Sequence, residues 1–113
     1  MEKDNRVFLS DILDSIEAID SYLEGYDFDQ FQRDRRTVDA VIRNVEVIGE
    51  AANNLTVEFR ENNPQIEWRR IIATRNRIIH GYATVDLSII WTIAQTDLEQ
   101  LQNEVESLLA KLK

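Results

Sequence analysis

Apolar residues return every third or fourth position along nearly the whole chain, in four stretches, and that period belongs to amphipathic helices rather than strands. The first stretch runs from about Asn5 to Glu24, where Phe8, Ile12, Ile16, Ile19 and Leu23 stand four, four, three and four residues apart. Gly25 follows as a stop. The second runs from Asp29 or Asp34 to Arg60, with Val38, Val41, Ile42, Val45, Ile48, Ala52, Leu55 and Phe59 as its stripe. Asn62-Asn63-Pro64 breaks it, and Pro64 suits the first turn of a third helix that ends at His80 with Gly81 as its cap. The fourth runs from Asp86 to the end, lined by Leu87, Ile90, Trp91, Ala94, Leu98, Leu101, Val105, Leu108 and Leu112. Short connections predict antiparallel neighbours, so the expected fold is all-α, an up-down four-helix bundle forming one domain over residues 1–113. Three glycines and one proline leave too little turn chemistry for a many-stranded sandwich or barrel.

Several function classes fall away on composition. Without cysteine there is no disulfide, no thiolate nucleophile and no Cys-based zinc or iron–sulfur site. With one histidine, a multi-His metal site within one chain is excluded, and no cofactor is expected. Met1-Glu2-Lys3-Asp4-Asn5 is polar and acidic, unlike a signal peptide, and no apolar run approaches the ~18 residues that span a membrane. The expectation is a cytoplasmic protein without membrane contact.

The net charge of −8 argues against indiscriminate nucleic-acid binding, because phosphate contacts call for cations. The charge is unevenly spread. Residues 1–30 hold nine acids against Lys3 and Arg6, whereas residues 31–77 hold nine arginines against seven acids. Arg69, Arg70, Arg75 and Arg77 crowd one short stretch, and arginine suits two-pronged recognition of phosphate or carboxylate. A solvated helix face laced with ion pairs would have the same composition.

Gly49 interrupts the apolar stripe of the second helix, where glycine costs about 1 kcal/mol of helix propensity. A close helix–helix or subunit contact that leaves no room for a side chain would offset that cost.

The stretch Arg75-Asn76-Arg77-Ile78-Ile79-His80-Gly81-Tyr82 carries the candidate chemistry. At about 100° per residue, Arg75 falls in the middle of the stripe formed by Trp68, Ile71, Ile72, Ile78 and Ile79. A guanidinium there needs a carboxylate partner, such as Glu46 or Glu50, or a groove to look into. Asn76 and His80 lie one turn apart on a neighbouring face that a long arginine can reach. His80 near a helix end can equally be a cap whose protonated form the helix dipole favours, and Tyr82 an aromatic anchor of the turn.

Arg75-Asn76-x-x-x-His80 resembles the signature of HEPN-domain ribonucleases, and its extension to Tyr82 resembles the HepT-like toxins of MntA–HepT toxin–antitoxin systems. Arg43-Asn44-Val45-Glu46-Val47-Ile48-Gly49-Glu50-Ala51 is similar to that family's second helix. The resemblance implies a HEPN-like bundle pairing as a two-fold dimer, or a higher oligomer, with two motifs facing one cleft. It implies metal-independent cleavage of cellular RNA, with tRNA the expected target. His80 would then be the acid/base group, Arg75 the phosphate clamp and Asn76 a supporting group. Glu46 and Glu50 would flank the site in no assigned role. The implied partner is an MntA-like nucleotidyltransferase antitoxin that transfers AMP from ATP to Tyr82. The alternative is a non-catalytic HEPN adaptor of such a nucleotidyltransferase.

Overall fold

The computed structural model describes residues 4–81 and 85–112, with the side chain of His80 outside that description. The described residues form α1 (Asn5–Leu23), α2 (Phe28–Arg33), α3 (Arg35–Asn54), α4 (Val57–Asn62), α5 (Trp68–Gly81), α6 (Leu87–Thr92), a π-helical segment (Ile93–Asp97) and α7 (Leu98–Leu112), with no strand among them. The fold is all-α and HEPN-like, as the periodicity and the resemblance led one to expect.

Two of the starts have a plain local cause. Asp4 accepts from the Arg6 backbone N–H at 2.8 Å, and Asp27 and Gln30 satisfy each other's backbone N–H groups in a capping box. α1 ends where the sequence indicated: Gly25 takes φ +79°, a left-handed conformation that side chains resist.

α3 is the central helix, packing against both α1 and α5, while α7 covers α1. Leu9, Ile12, Ile16 and Ile19 of α1 are fully buried in one core with Val41, Val45 and Ile48 of α3 and Leu98, Val105 and Leu108 of α7. Each such side chain contributes about 1.5–3 kcal/mol on burial. α2 closes one end, where the Phe31 ring lies 5.4 Å from that of Trp91 and Phe28 meets Trp91 edge-on at 6.0 Å.

Two boundaries and one helix interior depart from the sequence reading. The long second helix stops at Asn54: Leu55 turns extended yet stays buried, and Thr56 caps a separate α4 by accepting from the Phe59 N–H at 3.1 Å. Asn5, distant in sequence, fixes this break by accepting from the Thr56 N–H at 3.1 Å. The third helix starts at Trp68 rather than Pro64. Ile66 is buried in the preceding turn and the Trp68 indole N–H donates to the Asn63 carbonyl at 3.0 Å, holding the chain off helical course. The last helix carries a π-helical turn, where the Leu98 N–H reaches back to the Ile93 carbonyl. Ile90, Ala94 and Leu98 stand four apart and overshoot a 3.6-residue period twice running, and a wider turn absorbs the excess.

Asp34 joins α2 to α3. Its carboxylate accepts from the Tyr26 hydroxyl, the Thr37 hydroxyl at 2.8 Å and the Thr37 N–H at 3.3 Å. The Tyr26 hydroxyl, then the Thr37 contacts, hold its pKa below the usual carboxylate value. A depressed native pKa means stability present at neutral pH and lost as pH falls through the native value. Replacing Asp34→Asn is therefore expected to lower the melting temperature near neutral pH, with the gap from wild type narrowing as pH falls from the ordinary aspartate range through the lowered native pKa. A gap that stays constant in acid would contradict this role for the charge.

Candidate active site

α5 carries four arginines and no carboxylate between Trp68 and Gly81. The opposite sign gathers elsewhere: Asp11, Asp14, Glu17 and Asp20 lie along α1, and Glu99, Glu104 and Glu106 along α7. Between those two helices, burial and then the nearby Glu99 charge push the Asp20 carboxyl above its ordinary value.

Arg75 is placed by Gly49. A Cβ on Gly49 would stand 2.2 Å from Arg75 Cβ, 2.9 Å from its Cγ and 3.1 Å from the Ile71 carbonyl oxygen. Real carbon atoms do not approach so closely, so α3 and α5 cross here because position 49 has no side chain. This is the close contact that the glycine in the stripe called for.

With its stem against α3, the Arg75 guanidinium turns toward the neighbouring face, where Nη1 donates to Asn76 Oδ1 at 3.0 Å. Its Nε is buried and has no acceptor among the described residues. Among the described residues no carboxylate pairs with it. The expected candidates are otherwise engaged: Glu46 lies 3.6 Å from Arg43, and Glu50 is exposed to solvent. A half-buried guanidinium held by a neutral amide keeps its full charge and spare donors. Its natural complement is an anion with several oxygens.

The structure thus brings Arg75 and Asn76 into direct contact, and the helical backbone carries on to place His80 one turn beyond Asn76. The His80 side chain and the whole of Tyr82 lie outside the described residues. Two arginines of the cluster separate from a third. Arg70 lies 3.4 Å from both Glu67 and Asp97, whereas Arg69 and Arg77 are exposed and have no ion-pair partner among the described residues. Of Arg70's partners, Glu67 is local in sequence and Asp97 is brought in by the π-helical segment.

A cavity of about 290 Å³ opens between α3, α5 and the last helix, floored by Val45, Ile48, Ile71, Ile93 and Leu101, but neither Arg75 nor Asn76 lines it. Among the described residues no three acids or histidines are placed to hold a metal ion, and no helix is long and apolar enough to cross a membrane.

Residues 12–108 match the family model described as ribonuclease HepT-like, and the chain belongs to that family. It is 34% identical over 108 residues to a protein of Thermococcus cleftensis named as a probable ribonuclease HepT, covering 96% of this chain and 98% of that one. A candidate RNase of Methanocaldococcus jannaschii is 36% identical over 99% of this chain and 93% of its own length. A second protein of that organism, a gamma-glutamylcyclotransferase and candidate RNase, is 38% identical over 99% of this chain, which spans only 50% of that longer relative. No solved structure matches the chain significantly.

Gly49→Ala separates the packing account from simple propensity. At an uncrowded helical site the change stabilises by about 1 kcal/mol, whereas overpacking against Arg75 costs about 1–3 kcal/mol. Urea denaturation is expected to show a loss of stability, partly recovered in the Gly49→Ala, Arg75→Gly double variant. A gain from Gly49→Ala alone would refute the close contact.

Proposed function

We propose that this chain is a metal-independent endoribonuclease, the toxin of a toxin–antitoxin pair, cleaving cellular RNA with tRNA as its target class. The observation that carries this reading is the unneutralised Arg75 guanidinium, half-buried beside Asn76 at the end of α5 that leads to His80. Membership of the ribonuclease HepT-like family supports it.

In this reading the ribose 2′-oxygen attacks the adjacent phosphorus as the bond from phosphorus to the 5′-oxygen breaks, leaving a 2′,3′-cyclic phosphate and a 5′-hydroxyl. The His80 imidazole takes the proton from the 2′-hydroxyl or supplies one to the leaving oxygen. Arg75 meets the charge growing on the non-bridging oxygens, and Asn76 holds the guanidinium in place. One histidine per chain supplies half of an acid–base pair, and a two-fold dimer facing its motifs across one cleft supplies the other half. The chain carries one histidine and no cysteine, which suits chemistry that needs no metal. Residues 1–113 act as one domain, and the site of action is the cytoplasm.

Control falls to Tyr82. Its hydroxyl attacks the α-phosphorus of ATP in a nucleotidyltransferase antitoxin, pyrophosphate leaves, and AMP stays on the tyrosine. Added negative charge two residues from His80 repels the RNA backbone. The second reading, a non-catalytic adaptor for that nucleotidyltransferase, draws on the net charge of −8.

His80→Ala and Arg75→Ala are each expected to abolish RNA cleavage and growth inhibition while circular dichroism stays helical. Cleavage by folded His80→Ala at the wild-type rate would exclude the mechanism and favour the adaptor. Wild-type cleavage is expected to survive EDTA; loss in EDTA with recovery in magnesium would show that a metal is needed. Intact-mass spectrometry after co-expression with the nucleotidyltransferase is expected to show added AMP, absent from Tyr82→Phe. Inhibited protein of unchanged mass would mean that neutralisation is by complex formation.

A further inference from the structure

Beyond the reacting centre, α5 presents an exposed face with a direction. At about 100° per residue, Arg69, Ala73, Asn76, Arg77 and His80 fall within one band of about 100° on the helix, away from the side that meets Gly49. Arg69, Ala73, Asn76 and Arg77 are all exposed. Arg69 and Arg77 have no ion-pair partner among the described residues, a condition they share with Arg36, Arg60 and Arg75. Arg70, at the edge of this band, is occupied by Glu67 and Asp97.

Exposed arginines without a carboxylate partner keep their donors available to a phosphate. Resting on the ribonuclease reading, we infer that this face of α5 is the track of the RNA strand, with Arg69 and Arg77 holding backbone phosphates away from the bond cut at His80. The spacing is a ruler. At about 1.5 Å per residue, Arg77 stands about 4.5 Å along the axis from His80 and Arg69 about 16.5 Å. Arg77 therefore serves the phosphate next to the reacting one, and Arg69 one further along the strand. Ala73, between them, puts no long side chain in the way of the ribose and base. The acids of α1 and α7 disfavour those two faces: a backbone lying there would meet Asp11, Asp14, Glu17 and Asp20, or Glu99 and Glu106.

The test uses the full chain with His80→Ala, so that a fluorescein-labelled single-stranded RNA is bound without being cut. Into it are placed Arg69→Glu, Arg77→Glu and, as a control at the far end of α7, Lys111→Glu. Fluorescence anisotropy is expected to show binding weakened about tenfold or more by each arginine change and less than about twofold by the control, with a shallower salt dependence for Arg69→Ala and Arg77→Ala. In the active chain the same changes are expected to raise KM more than they lower kcat, and the loss for Arg69→Glu to shrink as the substrate shortens below the length that reaches it. Binding indifferent to both arginine changes overturns the track, even if the chain cleaves RNA. Arginine-dependent binding by a chain that never cleaves keeps the track and removes the ribonuclease. RNA binding that is absent altogether, with an acidic partner protein bound through Arg69 and Arg77 instead, overturns the track and makes this face a protein-docking surface.

Discussion

Everything that makes this bundle interesting hangs on the crossing of α3 and α5, where Gly49 gives up its side chain to the stem of Arg75. A methyl group at position 49 would occupy space already held by Arg75 Cβ, so the residue that weakens α3 also sets the distance between the two helices. With the stem clamped, the guanidinium has few ways to leave, and the one it takes ends on Asn76. The packing therefore does what a salt bridge would do for orientation, without cancelling the charge. A carboxylate partner would have held Arg75 as firmly and left it useless to a phosphate.

The signs also separate between helices. Acids are gathered on α1 and α7, which pack on each other at the cost of a raised Asp20 pKa, while α5 holds arginine alone. The net charge of −8 and the anion site proposed at Arg75 are thus compatible, because the acids and the site lie on different helices. Long-range attraction to RNA is weak for such a chain, so affinity rests on a few short-range contacts, which favours selectivity over indiscriminate binding.

Much of this was legible in the sequence, for reasons that differ by residue. The helices follow from period and from stops with a physical mechanism, such as the left-handed Gly25. Gly49 was legible because its propensity cost asks for an explanation, and Arg75 because a charge in an apolar stripe does too. The break at Leu55 was hidden: Ala52, Leu55 and Phe59 keep helical phase although Leu55 is extended, and the residue that fixes the break, Asn5, comes from another helix. Pro64 signalled a helix start correctly in kind and four residues early, because the anchoring of Ile66 and Trp68 is tertiary. Which carboxylate would meet Arg75 was not decidable either. Both Glu46 and Glu50 had the right spacing, and only the path of the side chain shows that neither pairs with it.

The central claim is that Arg75 is a charged, unneutralised anion site built by packing. The most direct measurement is the NMR signal of the Arg75 Nε–H, assigned through Arg75→Lys, during titration with a ribonucleoside 2′,3′-cyclic phosphate. The account predicts a saturable shift of that signal, while the signal of Arg70, already between Glu67 and Asp97, stays in place. A fixed Arg75 signal at concentrations that shift Arg70 or the exposed arginines would contradict it.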